Sequence, residues 1–248
     1  MASTSESGHN KNAINFDTLI FICTSLGTSY NPAKTSLKIP ALQTQATATK
    51  NSLTAVNTLT STYKNAVSAR INAFKAFDKL ITRINNALKA SDTNKQLEET
   101  AQTIIRKLQG RRATPRKTEE EKKTAMDAGI EINEISSSQM SYDNRLDNFD
   151  KLIKLLSSIP QYVPNEADLK TTSLIALYND LKAKNLSVVT SNVSLSNARI
   201  TRNEIMYKEN SGLVNISIDI KIYIKSVFGA TSPQYKQVSN LKFVKLKS

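Results

Sequence analysis

The 248-residue chain is basic: 34 lysine and arginine side chains against 21 aspartate and glutamate give a net charge of +13, while 39% of the residues are apolar. No run approaches the roughly 20 apolar residues of a membrane helix, and the first residues lack the pattern of a secretory signal. We therefore expect a cytoplasmic protein and no membrane partner. The charge favours acidic partners such as nucleic acid, and it is equally compatible with solubility alone.

Residue types that build catalytic and metal sites are scarce. The chain has one cysteine, Cys23, and one histidine, His9, so neither an intramolecular disulfide nor a histidine-rich metal site can form. Cys23 lies in an apolar run and is predicted to be a buried small hydrophobe. No phosphate-binding glycine loop or HExxH motif is present, and the carboxylates at Glu98, Glu99 and 119–121 fit solvated helix faces. We predict no enzyme, cofactor, metal or small-molecule substrate.

The first part of the chain alternates between polar and helical segments. Residues 1–11 are polar and are predicted to be a disordered leader that includes His9. Apolar residues then recur at helical spacing until Gly27, which predicts a short first helix. A loop with two prolines follows. The stretch Ala41–Gln109 after it contains neither glycine nor proline.

That stretch carries a long stripe of mostly apolar residues. They recur at alternating steps of four and three, which keeps one helix face turned toward the same partner over many turns. Because alanine, threonine and aromatic residues are mixed along it, we favour an elongated bundle over a two-stranded rod. A pause at residues 90–93 precedes a further helix that should end at Gly110. The stripe comprises Leu42, Ala46, Thr49, Leu53, Val56, Thr60, Tyr63, Val67, Arg70, Phe74, Phe77, Ile81, Ile84 and Leu88.

Residues 111–135 are rich in charge and poor in large apolar side chains, and we interpret them as a mobile linker. Its Glu-Lys-rich centre can form helical ion pairs. Helical spacing returns from residue 136, and a second long glycine-free stretch runs from Asn165 to Ser211. Residues 213–228 fit both a strand and a helix. Helix is favoured because no second strand-like segment is present to pair with.

The two halves of the sequence resemble each other. Eleven of 28 residues starting at Asn15 recur in the second half with one gap, at offsets of 133 and then 132. The pairs include Phe16 with Phe149 and Tyr30 with Tyr162. Both halves then share the order short helix, Tyr-x-Pro loop, long helix and further helix, so we infer a duplication. The second copy keeps the apolar stripe less completely.

These patterns predict an all-α fold, an elongated antiparallel bundle of long amphipathic helices with two pseudo-repeated halves. The predicted organisation is a disordered leader (1–11), helical half 1 (12–110), a charged linker (111–135) and helical half 2 (136–248). Whether the two halves pack into one bundle is left open by the sequence.

Three sequence words, QGRR (109–112), SQMSYDNRLDN (138–148) and GATSPQYKQ (229–237), resemble those of a family of uncharacterised helical proteins of flavobacterium-like bacteria. The resemblance spans most of the chain. It implies a helical fold and nothing about activity, because no activity is attached to that family.

Two functions remain as alternatives. The first is a non-enzymatic structural or interaction protein, whose partner is itself or another protein. The second is sequence-nonspecific nucleic-acid binding, in which a basic block neutralises phosphates. Against the second stand the adjacent glutamates and the lack of interleaved aromatic residues. The candidate anion contacts are Arg106, Lys107, Arg111, Arg112, Arg116 and Lys117.

Overall fold

The computed structural model describes residues 4–111, 118–128 and 140–246, with the side chains of residues 4–7 and 125 excepted. This part of the chain is helical and contains no strand, which confirms the predicted all-α bundle. Residues 213–228, whose alternating isoleucines also fit a strand, are a helix. The helices are α1 (Thr4–Ser25), α2 (Ile39–Phe74), α3 (Phe77–Lys89), α4 (Lys95–Leu108), α5 (Glu119–Asp127), α6 (Tyr142–Ser157), α7 (Thr171–Tyr207), α8 (Leu213–Phe228) and α9 (Pro233–Ser239).

The prediction of a disordered leader is wrong for the described residues, because α1 begins at Thr4. Polar composition misleads here because the polar side chains have tertiary partners. His9 is only 2% exposed, and its Nδ1 lies 2.6 Å from the hydroxyl oxygen of Tyr207. Asn12 is equally buried and hydrogen-bonded. Hydrogen bonds of this kind offset the cost of removing polar groups from water.

The long stripe of the first half does not lie on one uninterrupted helix. α2 ends at Phe74 and α3 begins at Phe77, and the amide of Lys75 bonds to the carbonyl of Asn72 in a tightened turn. Neither glycine nor proline causes the break. Phe74 and Phe77 are both buried, with ring centroids 5.5 Å apart. We attribute the break to tertiary packing of these two rings, which overrides local helix propensity.

Part of the predicted linker is also helical. α5 begins after Thr118, whose hydroxyl accepts a hydrogen bond from the amide of Glu121 at 3.3 Å. The Glu121 carboxylate accepts one in return from the amide of Thr118 at 2.8 Å. This reciprocal capping box starts a helix without any buried apolar face. The predicted charged linker 111–135 therefore contains a defined helix at residues 119–127, in the Glu-Lys-rich centre where helical ion pairs are expected.

The chain forms two compact units that do not coincide with the predicted halves 12–110 and 136–248. Unit 1 comprises Met1–Lys64 with Ser191–Ser248, and unit 2 is the continuous segment Asn65–Thr190. Each unit therefore combines segments from both repeats: one copy supplies a short helix and the start of a long helix, and the other copy supplies the end of a long helix and the helices after it. The physical reason is burial, because the short helix of each copy packs with the later helices of the other copy.

Unit 1 has a core made by α1, the first part of α2, the last part of α7, α8 and α9. Its buried side chains come from both ends of the sequence, and cysteine is among them: Cys23 is 1% exposed, which confirms the prediction that it is buried. Burial raises its pKa to about 11. The core includes Phe16, Leu19, Cys23, Leu42, Met206, Leu213, Ile220, Ile224 and Val238.

Unit 2 has its own core, in which α6 takes the place that α1 has in unit 1. Phe149, the equivalent of Phe16, is fully buried and packs edge-on against Phe77 at 4.9 Å. The core also confirms the stripe of the first half as a buried face beyond the helix break. Its members include Phe74, Phe77, Ile81, Ile84, Leu88, Ile105, Leu108, Phe149, Leu152, Leu174 and Leu181.

The Tyr-x-Pro loop is the clearest structural repeat. The Tyr30 hydroxyl donates to the carbonyl of Leu37 at 2.8 Å, and the Tyr162 hydroxyl donates to that of Leu169 at 3.0 Å. All four residues are buried, with 4–7% of their surface exposed. In both loops, therefore, a tyrosine hydroxyl satisfies the buried carbonyl of the leucine seven residues later. This pairing supports the inferred duplication.

Candidate protein-interaction groove

The described part of the basic block lies at the end of α4. Arg106 and Lys107 occupy its last turn, where cations suit the exposed helix carbonyls, and Arg111 follows Gly110, which has a φ of +71°. None of these three cations forms a salt bridge among the described residues. The remaining predicted contacts, Arg112, Arg116 and Lys117, lie outside the described residues.

A different feature, absent from the sequence predictions, is a groove in unit 2 between α6 and α7. Its volume is about 410 Å³. One wall is a face of α6 with three carboxylates, and the other is a face of α7 with both apolar and basic side chains. We call it the α6–α7 groove, and it is lined by Asp143, Leu146, Asp147, Asp150, Tyr178, Lys182, Asn185, Leu186 and Val189.

The α7 wall includes two apolar residues, Leu186 and Val189, which we call the floor of the groove and which are open to solvent. Leu186 is 60% exposed and Val189 53% exposed, although they lie one turn apart and beside the half-buried ring of Tyr178. Single exposed apolar residues are ordinary on protein surfaces, whereas apolar residues grouped in a concave, polar-rimmed site are typical of binding surfaces. The groove therefore has the composition of a docking site.

One end of the groove is fixed by a buried polar chain. Asn185 is 7% exposed, and its side-chain nitrogen donates to Asp143 at 2.7 Å while its oxygen accepts from Arg70 Nη1 at 2.9 Å. The guanidinium carbon of Arg70 also lies 4.0 Å from the centroid of the Tyr142 ring. Both donor and acceptor of the Asn185 amide are thus satisfied, which holds α7 against α6 in one register.

The two repeats differ in an ion pair between the equivalent helices. The residues of unit 1 equivalent to Asp150 and Lys182 are Asp17 and Lys50, and they form a 2.9 Å salt bridge from α1 to α2. In unit 2 the carboxylate of Asp150 instead pairs along its own helix with Lys154.

Lys182, the equivalent of Lys50, also has a different partner in unit 2. Its ammonium lies 5.8 Å from the centroid of the Tyr178 ring, and Tyr178 replaces the small Ala46 of unit 1. Among the described residues Lys182 makes no ion pair. The bridge that spans the two helices in unit 1 is therefore not made between the equivalent residues of unit 2.

A second cleft of unit 2, about 720 Å³, lies between the end of α3 and the Tyr-x-Pro loop. The Tyr162 hydroxyl at its edge is engaged with Leu169, and burial raises its pKa to about 12, so it stays protonated at neutral pH. Arg83 and Asp168 nearby are exposed and paired with each other. The Ser91 hydroxyl in this cleft bonds to the carbonyl of Leu88 and to the hydroxyl of Thr93, and not to a base of the kind that activates a nucleophile for acyl transfer.

Within residues 4–111, 118–128 and 140–246, no group of three or more His, Cys, Asp or Glu side chains is arranged to hold a metal ion. In the same residues no helix has the length and apolarity of a membrane span. No protein-family model, curated protein or solved structure matches the chain.

Proposed function

We propose that the protein is a non-enzymatic structural protein that self-associates, and that the α6–α7 groove binds a helix of a second copy. The observation that carries this proposal is the open apolar floor formed by Leu186 and Val189, bordered by carboxylates. Full burial of a leucine or valine side chain contributes roughly 1.5–3 kcal/mol. Covering both residues is therefore a substantial driving force for association.

The shape of the groove supports a helical ligand. Its α7 wall runs from Tyr178 to Val189, which at 1.5 Å per residue is about 16 Å, or three helical turns. Amphipathic helices bind in such grooves through apolar side chains spaced one turn apart. The preferred ligand is thus an exposed helix face with two or three apolar residues.

Three carboxylates border the groove, two of them in exposed ion pairs along α6 with Lys151 and Lys154 that a basic partner can share, and the chain itself is strongly basic. One suitable face lies on α8 of unit 1, where Ile218 and Ile222 are 48% and 61% exposed. Lys225 continues that face by one turn and is exposed, so it can approach the rim carboxylates. Groove and face are different surfaces, so the contact is heterologous and extends from copy to copy unless it closes into a ring.

Light scattering over a range of concentrations tests this proposal. We expect the mean mass to rise with concentration, and Leu186→Asp to suppress the rise because it places a charge on the apolar floor. Thr54→Asp is the matched control, since Thr54 is the exposed equivalent of Leu186 in unit 1. A chain that stays monomeric at every concentration, or a Leu186→Asp variant that associates like the control, contradicts the proposal.

Nucleic-acid binding is the second proposal, favoured by the uncompensated charges of Arg106, Lys107 and Arg111. Phosphate contacts of this kind weaken steeply with salt. Gel shifts in a salt series should then show binding at low salt that decreases when Arg106, Lys107 and Arg111 are replaced by alanine. Absence of a shift at low salt, or an unchanged shift in the triple variant, rejects this function.

A further inference from the structure

Residues 241–246 of unit 1, which we call the strap, are bound in a manner typical of peptide ligands. They follow α9 outside any helix or turn, and the N–H and C=O of Val244 face the same side chain, as they do in an extended backbone. Leu241, Phe243 and Leu246 pack against the core of unit 1, whereas Val244 is 54% exposed. Apolar contacts at intervals along an extended chain are how grooves select peptide sequences.

The main chain of the strap is bound by two asparagines of α1. The Asn12 amide donates to the carbonyl of Val244 at 2.7 Å and accepts from the amide of Val244 at 3.0 Å. Asn15 donates to the carbonyl of Lys242 at 2.7 Å. An extended segment without a partner strand must satisfy its peptide groups through side chains or water, and an asparagine offers both a donor and an acceptor.

The strap is also held from α8. The Lys221 ammonium donates to the carbonyl of Leu241, and it lies 5.3 Å from the centroid of the Phe243 ring. Partial burial of this ammonium lowers the pKa of Lys221. The strap thus supplies this cation with both a carbonyl and an aromatic face.

Gly8 makes room for the last apolar contact. A Cβ at this position would lie 2.8 Å from Cδ1 of Leu246, so only glycine lets the leucine approach α1 this closely without a shift. Asn12 and Asn15 are 2% and 6% exposed with the strap in place. Removing the strap would leave their amides without these main-chain partners, so the groove is built for an occupied state.

We infer that this α1–α8 groove is a second binding site, specific for an extended segment, and that it accepts the strap of another copy by exchange. The inference rests on the self-association proposed above and gives it a second contact. Exchange reuses every hydrogen bond of the strap, so its cost is mainly entropic. The tether through Asn240 keeps the local strap concentration high, on the order of millimolar, so exchange is favoured at high protein concentration.

Disulfide trapping between two single-cysteine variants tests the exchange. In a Cys23→Ala background, one variant carries Gly8→Cys and the other Leu246→Cys. A Cβ added at residue 8 would lie 3.4 Å from Cγ of Leu246, which is close to where the sulfur of a cysteine at residue 246 would lie. This separation is compatible with a disulfide. We expect the concentrated mixture to yield a disulfide-linked heterodimer that increases with concentration and decreases when the peptide LKFVKLKS is added.

Two controls define the background. A mixture in which Val163→Cys, at a highly exposed site in unit 2, replaces Leu246→Cys measures random collision. Adding Asn12→Ala to the Leu246→Cys copy weakens the docking of that copy's own strap and leaves the acceptor groove intact, so exchange predicts a heterodimer yield that rises, by up to about tenfold for the loss of these paired hydrogen bonds. Asn10→Ala, at an exposed position of the same helix, should not change the yield.

The double variant Gly8→Cys with Leu246→Cys shows whether the thiols meet within one chain. If it forms its internal disulfide while the mixture gives no heterodimer above the collision control, exchange is refuted. If it forms no disulfide, the docking of the strap itself is wrong and exchange is refuted with it. The difference in light scattering between Leu186→Asp and Thr54→Asp reports association through the α6–α7 groove separately, so loss of exchange does not by itself remove the proposed function.

Discussion

His9 offers a quantitative test of the packing of α1. Burial, with a smaller contribution from the nearby charge of Arg202, lowers its pKa from 6.5 to about 4. The unfolded chain therefore binds a proton at His9 between about pH 6.5 and pH 4, whereas the folded chain does not. The contribution of His9 to the free energy of unfolding is fully present above pH 6.5 and decreases as the pH falls from 6.5 to about 4. Below about pH 4 both states bind the proton, and His9 causes no further loss.

The size of the effect follows from the shift in pKa. One pKa unit corresponds to about 1.4 kcal/mol, so the whole window amounts to roughly 3 kcal/mol. Between pH 7 and pH 5 the same linkage gives about 2 kcal/mol of lost unfolding free energy. For a chain of this length, that corresponds to a decrease in Tm of about 4–8 °C.

Because His9 is the only histidine in the chain, its ring protons can be followed by NMR without assignment. We expect a titration midpoint near pH 4 in the folded protein. His9→Asn removes the titrating group, so its Tm should fall less than that of the unmodified protein between pH 7 and pH 5. A titration midpoint near pH 6.5, or equal decreases in Tm for the two proteins, would refute the conclusion that His9 is buried in its neutral form beside Tyr207.

Three further predictions concern packing. Tyr30→Phe and Tyr162→Phe should each lower the unfolding free energy by about 1–3 kcal/mol in urea titrations, because each leaves a buried carbonyl without its donor; an effect in only one of them would contradict the equivalence of the two loops. Phe149→Ala should cost about 3–5 kcal/mol, whereas Phe21→Ala, at a site 75% exposed, should change stability by less than about 0.5 kcal/mol. Cys23 should react with a thiol reagent only after denaturant is added, since its pKa of about 11 and its burial leave little accessible thiolate; rapid labelling of the native protein would show that this site is open.

Much of the fold is predictable from periodicity. The stripe from Leu42 to Leu88 identifies a buried face because helix geometry repeats every 3.6 residues whatever the partner is. The helix break after Phe74 is not predictable in this way. The break depends on the packing of the Phe74 and Phe77 rings into one core. No glycine, proline or capping residue in the sequence indicates it.

The burial of His9 and Asn12 escapes sequence reasoning for a related reason. A polar residue in a polar segment is ordinarily solvated, and its burial depends on partners such as Tyr207 and Val244, which lie about 200 or more residues away in the chain. Sequence reasoning on neighbours cannot identify contacts at such separations.

The α6–α7 groove is not predicted either, although the repeat contains a signal. At equivalent positions Ala46 becomes Tyr178 and Thr54 becomes Leu186, while the ion-pair residues Asp17 and Lys50 are retained as Asp150 and Lys182. A tyrosine in place of alanine and a leucine in place of threonine, beside an acid and a base that are retained, indicate that this surface differs between the two copies. Only the structure shows that the retained pair is joined in one unit and separate in the other.

The division of the chain has a consequence for the order in which the protein folds during synthesis. Unit 2 is a continuous segment, so all of its residues have been synthesised while the last fifth or more of the chain is still to be made. Unit 1 needs residues from both ends, and its N-terminal residues must wait for α8, α9 and the strap. During that interval the apolar face of α1 has only the start of α2 and the loop before it as partners from its own unit, and chain-end contacts form last because they close the longest loops. A chaperone that binds apolar helices would therefore be expected to engage this protein at its N-terminal helix.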